Sequence, residues 1–140
     1  MVKVLVGNKG SGKTKKMIEL ANTAIEEAKG SIIFINKNTR LTYDLDYKIR
    51  VICMDDFIHI TNEDEYIGFH FGIISSDNDI ETIYLDGVLK HADISVENIP
   101  SFVMKIKEIS NDYAIDFVMS ISAELEDLVG VDFENVEVLN

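Results

Sequence analysis

The sequence predicts a three-layer α/β sandwich, in which a mostly parallel sheet of about five strands carries helices on both faces. Two observations support this fold class. Short apolar, β-branched runs alternate with amphipathic helical patterns through most of the 140 residues, and such alternation is typical of βαβ units. Neither an internal repeat nor a shift in composition interrupts the alternation, so we expect residues 1–140 to form a single domain.

The N-terminal strand–helix–strand pattern is the clearest in the chain. Residues 2–6, Val-Lys-Val-Leu-Val, are apolar and β-branched, which predicts a buried strand. After a glycine-rich turn, residues 13–29 repeat apolar side chains at helical spacing, and Gly30 lies where a C-cap glycine would end that helix. Residues 32–35, Ile-Ile-Phe-Ile, predict a second buried strand.

The next segment, residues 36–50, alternates apolar and polar side chains. This period favours a strand with one wet face, and we interpret it as a hairpin arm at a sheet edge. Its tyrosines, Tyr43 and Tyr47, are expected in the core or on a strand face. Residues 51–54 then predict a more buried strand.

A helix–strand unit follows in the middle of the chain. Asn62, with Glu65 three residues on, has the pattern of a capping box and predicts a helix start. Gly68 and Gly72 lie one turn apart in this helix and would let its face approach another element closely. Residues 82–85 predict the strand after it.

The C-terminal third repeats the pattern. Pro100 suits the first turn of a helix whose apolar positions recur at helical spacing. Residues 117–121 predict a strand, residues 124–128 predict a short helical piece ending near Gly130, and residues 136–139 predict a last strand.

Composition excludes several classes of protein. The 13 basic and 25 acidic side chains give a net charge of −12, and such a surface repels nucleic-acid backbones and anionic lipid. Cys53 is the single cysteine, so a disulfide framework is excluded and we expect a buried thiol without a redox role. No apolar run approaches the roughly 20 residues of a membrane helix. Because no leader-like segment follows Met1, we expect a cytoplasmic protein.

The histidines do not indicate a zinc site. His59, His70 and His91 are scattered along the chain, without the spacing of zinc ligands. His70 has apolar neighbours at helical spacing, and we interpret it as a packed or surface residue.

Eight consecutive residues match the pattern G-x-x-x-x-G-K-[ST] without departure. Glycines let the backbone fold around an anion with its N–H groups pointing inward, and the helix that follows adds its positive end. In this pattern the lysine reaches the β- and γ-phosphates and the hydroxyl residue holds Mg²⁺. The matching residues are Gly7, Asn8, Lys9, Gly10, Ser11, Gly12, Lys13 and Thr14.

On this motif, and on its flanking strand and helix over residues 2–29, the sequence resembles the P-loop nucleoside triphosphatases. The resemblance implies ATP and Mg²⁺ as ligands. Lys9 and the backbone from Asn8 to Thr14 would hold the phosphates. Lys13 would neutralise the β- and γ-oxygens, and Thr14 would hold Mg²⁺ directly.

The resemblance also implies a buried strand that ends in an aspartate, which holds Mg²⁺ through water. The run Ile-Tyr-Leu-Asp that ends at Asp86 is the preferred match, because Gly87 lets the chain turn away there. Asp55, at the end of the run Val-Ile-Cys-Met-Asp, is the alternative.

Other positions indicate which branch of this superfamily the sequence resembles. A GTPase would require D-x-x-G, but the third residue after Asp86 is Leu89, and the run Asn-Lys-Asn-Thr ends in Thr39 where N-K-x-D needs an aspartate. Nucleotide kinases hold acceptor phosphates with several arginines, whereas this chain has Arg40 and Arg50 alone. The RecA-like group, which includes the type II thymidine kinases, is the remaining branch.

In the RecA-like group, a strand after the second motif carries a polar residue that can sense the γ-phosphate. Ser120 and Ser122 lie on the corresponding predicted strand. Ser122 is therefore a candidate catalytic residue. Lys13, from the glycine-rich motif, is another. The glycine-rich loop also resembles that of the pilus-retraction and secretion ATPases, whose chains are much longer.

The chain departs from the resemblance in one important place. Many of these ATPases place a glutamate directly after the second-motif aspartate to activate water, and here that residue is Gly87. Asp55, Asp56 and Glu124 are the candidates to replace it, with Asp56 as the candidate catalytic carboxylate. An arginine finger, worth about 10³–10⁵ in rate, would come from one of the two arginines or from a partner.

Three hypotheses of function follow. The first is a slow Mg²⁺-dependent ATPase, completed by a protein partner or by a second subunit of a homo-oligomer. The second is a nucleotide-dependent binding or regulatory module without hydrolysis. The third is a small nucleoside kinase, with an acceptor pocket under residues 56–75.

Overall fold

Parallel strands form one central sheet in the computed structural model, which describes residues 1–38, 42–129 and 135–139. Within these ranges there are six strands: β1 Val2–Gly7, β2 Ser31–Asn36, β3 Arg50–Cys53, β4 Ile80–Leu85, β5 Asp116–Ser122 and β6 Asn135–Leu139. The sheet order is β3-β2-β4-β5-β1-β6, and every pair of neighbours is parallel. The predicted α/β class is confirmed, with six strands rather than five.

Helices cover both faces of the sheet. They are α1 Lys13–Glu27, α2 Glu63–Ser76 and α3 Ile99–Tyr113. The apolar side of α1 packs with Leu5, Phe34 and Val118 on one face. Helices α2 and α3 pack with the alternate strand residues, such as Val4 and Phe117, on the other. Since successive side chains of a strand point to opposite faces, inner strands of this kind read as continuous apolar runs.

Several local predictions are confirmed. The side chain of Asn62 caps α2 by accepting a hydrogen bond from the Glu65 amide at 2.9 Å. Pro100 lies in the first turn of α3. The short helical piece is a 3₁₀ turn, Leu125–Leu128, while Gly130 lies outside the described residues. Cys53 is a buried free thiol, and burial raises its pKa.

The predicted hairpin arm over residues 36–50 is wrong for the part that the structure describes. A 3₁₀ turn, Thr42–Asp44, and irregular chain lead into β3. Asn22 of α1 fixes this segment, because its side chain bonds the Asp44 carbonyl and the Asp46 amide, each at 2.8 Å. These bonds occupy backbone groups that a strand ladder would need. Tyr43 and Tyr47 are about nine-tenths exposed and belong to no core.

Three glycine predictions are also wrong. Helix α1 ends at an extended C-cap, Ala28, so Gly30 does not cap it. Gly30 instead lets the backbone pass close to Asp79, since a Cβ at residue 30 would lie 1.9 Å from the Asp79 carbonyl oxygen. A Cβ on Gly68 or Gly72 would meet nothing within 4 Å, so neither glycine serves close packing of α2.

The carboxyl ends of the parallel strands meet at one edge of the sheet, and ligands of open α/β sheets bind at such an edge. The glycine-rich loop, residues 7–14, follows β1 there. Lys37 follows β2, Asp86 follows β4, and Ser122 ends β5. In the described part of the chain, no helix has the length and apolarity needed to cross a membrane.

Candidate functional site

The glycine-rich loop connects β1 to α1 through a tight turn. Gly10 and Gly12 have φ of 86° and 90°, a left-handed conformation that side chains rarely adopt. The Ser11 amide donates to the Asn8 carbonyl at 3.1 Å. Helix α1 begins at Lys13, directly after Gly12. The loop therefore lies at the positive end of a helix of 15 residues, where an anion is favoured.

Gly7 is required for a different reason. A Cβ at Gly7 would lie 2.0 Å from the carbonyl oxygen of Leu139 on β6. The first glycine of the motif thus lets β6 pair with β1 beside the loop.

Lys13 lies inside the loop that precedes it. Its Nζ donates hydrogen bonds to the carbonyls of Gly7 at 2.8 Å and Asn8 at 2.7 Å. Burial lowers the pKa of Lys13, and the charge of Lys90 acts in the same direction, while Asp86 opposes them. The loop carbonyls thus hold the ammonium group, and the Asp86 carboxylate lies near enough to act on its pKa.

Thr14, Asp86 and Ser120 form a hydrogen-bonded cluster beside the loop. The Thr14 hydroxyl donates to Asp86 Oδ2 at 3.0 Å, and the Ser120 hydroxyl donates to Asp86 Oδ1 at 2.8 Å. Ser120 also accepts from the Gly87 amide at 2.7 Å. Strand β5, which carries Ser120, lies between β1 and β4. Sheet order therefore brings together three residues that are far apart in sequence.

A cavity of about 530 Å³, the loop cavity, opens onto this cluster. Among the described residues, Asp86 is its one acidic lining side chain. Five lysines line it, in a chain whose net charge is −12. This local excess of positive charge attracts an anion to a protein that otherwise repels one. The lysines are Lys9, Lys13, Lys15, Lys37 and Lys90.

A buried pair, Tyr66 and His91, is hydrogen-bonded to the backbone of Asp86. His91 Nε2 lies 2.6 Å from the Asp86 carbonyl oxygen, and His91 Nδ1 lies 2.7 Å from the Tyr66 hydroxyl. The carbonyl oxygen can only accept, so Nε2 carries the proton, Nδ1 accepts, and Tyr66 donates. Burial lowers the pKa of His91 to about 4, which keeps this ring neutral at physiological pH.

The other predicted carboxylates lie outside the loop cavity. Asp55 forms an ion pair with Lys37, with Oδ1 3.3 Å from Nζ. Asp56 is exposed in the 3₁₀ turn Met54–Asp56 and is not a lining residue. Glu124 caps the turn Leu125–Leu128. Of the remaining candidates, Ser122 lines the cavity at the end of β5.

Arg50 is not among the residues that line the loop cavity. Arg50 donates from Nη1 to Asp77 Oδ2 at 3.0 Å, on the β3 edge of the sheet. Arg40 lies outside the described residues.

Several residues near the site were not predicted as part of it, among them Asn36, Lys37, Lys90 and His91. Asn36 ends β2 and Lys37 follows it, while Lys90 and His91 come four and five residues after Asp86. A usable signal existed, because residues just after parallel strands converge at one edge of the sheet.

The donor set fits a magnesium ion held jointly with a ligand. A threonine hydroxyl and an aspartate carboxylate are hard oxygen ligands of the kind Mg²⁺ prefers. Within the described residues, no group of three or more His, Cys, Asp or Glu side chains could hold a metal alone. The ion would therefore need phosphate oxygens and water to complete its six ligands.

Comparison of the sequence with known proteins matches no family model and no curated protein.

Proposed function

We propose that the chain is a P-loop nucleoside triphosphatase of the RecA-like group, which binds Mg·ATP in the loop cavity and hydrolyses it slowly on its own. The observation that carries this proposal is the cluster of Thr14, Asp86 and Ser120 beside a glycine-rich loop at the start of α1. We name ATP rather than GTP because the sequence lacks the D-x-x-G and N-K-x-D motifs that a GTPase would require. The cytoplasmic location predicted from the sequence is part of this proposal.

Each residue has a separate task in this proposal. Lys9 and the backbone from Asn8 to Thr14 bind the phosphates, and Lys13 neutralises the β- and γ-oxygens. Thr14 holds Mg²⁺ directly and Asp86 holds it through water. The ion would supply charge neutralisation on the β- and γ-oxygens.

Slow hydrolysis follows from the shortage of carboxylates. Among the described residues, Asp86 is the acidic side chain that lines the loop cavity, and Thr14 and Ser120 already bond it. The next residue, Gly87, has no side chain to activate water. A partner or a second subunit would complete the site, and the same observation favours a second candidate, a nucleotide-dependent binding module without turnover.

The proposal is tested by calorimetric titration of the protein with Mg·ATP. Lys13→Ala removes a charged donor worth about 1.5–3 kcal/mol, so we expect affinity to fall about 10- to 100-fold. Lys29→Ala, at an exposed lysine after α1, is the matched control and should bind as wild type. Equal affinity of Lys13→Ala and wild type would refute the assignment.

Phosphate release separates the two candidates. Turnover per chain that rises with protein concentration would indicate a site completed by a second copy. Nucleotide-driven self-association without phosphate release would identify the binding module instead.

A further inference from the structure

Positive charge converges at one end of the loop cavity. Lys13, Lys37 and Lys90 all line it. Burial lowers the pKa of Lys13, and of the charges around it Asp86 opposes this effect while Lys90 adds to it. Burial also lowers the pKa of His91, the residue bonded to the Asp86 carbonyl, and the charge of Lys37 adds to that effect. Like charges repel, so this arrangement is stabilised when a multivalent anion lies among them.

Lys37 lies at the end of the loop cavity where the terminal phosphate of the proposed nucleotide would bind. Mg²⁺ bridges β- and γ-oxygens in such sites, so Thr14 and Asp86 mark that end. Strand β2 pairs with β4, and the Asp86 amide donates to the Ile35 carbonyl at 2.9 Å. Lys37, two residues after Ile35, therefore follows the strand next to β4, at the same edge of the sheet as Asp86.

A carboxylate already holds Lys37. The Lys37 Nζ lies 3.3 Å from Asp55 Oδ1, and both side chains are about half exposed. An ion pair between exposed single charges contributes little free energy, because water and salt screen it. Asp55 itself is not a lining residue of the loop cavity. A more highly charged anion in that cavity can therefore replace Asp55 as the partner of Lys37.

A terminal phosphate is an anion of this kind. It carries up to about two negative charges and three acceptor oxygens, and hydrogen bonds between ionised groups are stronger than neutral ones. The backbone of Lys37 is fixed at both polar groups, since its amide donates to Asn36 Oδ1 at 2.7 Å and its carbonyl accepts from the Asp55 amide at 2.9 Å. The flexible lysine side chain can thus change partners while its backbone stays in place.

We propose that Lys37 distinguishes ATP from ADP, because its ammonium group leaves Asp55 and binds the γ-phosphate when the triphosphate is present. The proposal rests on the proposed function, since it needs a nucleotide in the loop cavity. The role differs from that of Lys13, which serves the β- and γ-oxygens together. It also gives Asp55 a function, which is to hold the Lys37 ammonium group while the γ-phosphate is absent.

The test compares Mg·ATP with Mg·ADP by calorimetric titration. Lys37→Ala should lower the affinity for ATP about tenfold through the loss of one charge-assisted hydrogen bond, and the affinity for ADP should stay close to that of wild type. Lys37→Met, which keeps the length of the side chain without its charge, should give the same result. Lys48→Ala, at an exposed lysine outside the loop cavity, makes the same change of charge and should bind both nucleotides as wild type.

Asp55→Asn should have the opposite effect. Removing the competing carboxylate should raise the affinity for ATP about two- to fivefold, in the range of an exposed ion pair, and leave that for ADP unchanged. In a Lys37→Ala background the same substitution should have no effect, because the pair no longer exists.

Asp93→Asn is the matched control for Asp55→Asn. Asp93 is exposed and lines a neighbouring cavity together with Lys37 and Asp55. In the described part of the chain, the ion pair of Lys37 is with Asp55 and not with Asp93. Asp93→Asn makes the same change of charge and should bind both nucleotides as wild type.

Each result decides one point. Equal losses of ATP and ADP affinity in Lys37→Ala, or no loss of either, overturn this proposal and leave the proposed function intact. Weaker ATP binding by Asp55→Asn overturns the exchange of partners, because the ion pair would then be positioning Lys37 for the phosphate. Absence of Mg·ATP binding by the wild-type protein overturns the proposed function, and this proposal with it.

Discussion

Asp86 is the most constrained residue of the candidate site. Its amide donates to the Ile35 carbonyl at 2.9 Å, and its own carbonyl accepts from His91. Its carboxylate accepts from Thr14 and Ser120. Four contacts from separate parts of the chain thus hold one carboxylate, which is the arrangement a positioned ligand needs.

The hydrogen bond between Tyr66 and His91 gives a prediction at the scale of single residues. Tyr66→Phe leaves His91 Nδ1 without its donor, so the ring is held by its hydrogen bond to the Asp86 carbonyl alone. A lost hydrogen bond of about 1 kcal/mol should raise the Mg²⁺ concentration needed for ATP binding about three- to tenfold. Calorimetry at varied Mg²⁺ measures this, and nitrogen NMR of the imidazole reports the loss of the hydrogen bond at Nδ1.

Two further variants set the largest and smallest changes in Mg²⁺ dependence with which Tyr66→Phe is compared. Asp86→Asn, which removes the carboxylate itself, should impair Mg²⁺ dependence more strongly. Tyr113→Phe, at a half-exposed tyrosine ending α3, should change nothing. Unaltered Mg²⁺ dependence in Tyr66→Phe, in protein that has lost the Nδ1 hydrogen bond, would show that the pair does not position Asp86.

At the scale of elements, the start of α2 is fixed by reciprocal side-chain bonds. Asn62 accepts from the Glu65 amide, and Glu65 Oε1 accepts from the Thr61 amide at 2.8 Å. The first bond satisfies a backbone donor that a helix start leaves without a partner, and the second ties the residue before the cap to the first turn.

Asn62→Ala should therefore lower the free energy of unfolding by about 1 kcal/mol. Urea denaturation at neutral pH measures the change. Asn78→Ala, in the exposed loop before β4, is the control and should stay within about 0.5 kcal/mol of wild type. Equal stability of the two variants would contradict the capping role.

Elements with strong periodicity were predictable from local pattern, and the site only in part. The runs around Val4 and Phe34 predicted strands because buried parallel strands are apolar on both faces. The segment containing Tyr43 failed because Asn22, from another element, decides its conformation. Spacing alone predicted the glycine-rich loop, whereas the support of Asp86 by His91 depends on tertiary contacts that no local pattern encodes.

At the scale of the whole molecule, two buried histidines link stability to pH. Burial lowers the pKa of His70 to about 3 and that of His91 to about 4, from an ordinary value of 6.5. Among the described residues, neither ring nitrogen of His70 has a hydrogen-bond partner. Below pH 6.5 the unfolded chain binds protons that the folded protein excludes. Stability is therefore complete above that pH and is lost as the pH falls toward 4 and 3.

From pH 7 to pH 5 each histidine should cost about 2 kcal/mol of unfolding free energy, at about 1.4 kcal/mol per unit below 6.5. Urea denaturation at the two pH values checks this. His70→Leu should remove about half of the loss, and it should also stabilise the protein at pH 7 by deleting a buried unsatisfied group. His59→Gln, at an exposed histidine, should leave the loss unchanged. The linkage is wrong if His70→Leu keeps the full pH dependence.

The buried histidines also affect the solubility of the protein at acid pH. Acidification weakens the fold over the same range in which the net charge shrinks, since the isoelectric point is about 4.5. A chain that unfolds there would release β-prone segments such as Ile-Ile-Phe-Ile of β2 while lacking the charge that keeps molecules apart. We therefore expect acid unfolding to be followed by precipitation. Unfolding would then be irreversible, and its extent would depend on the unfolding rate rather than on an equilibrium.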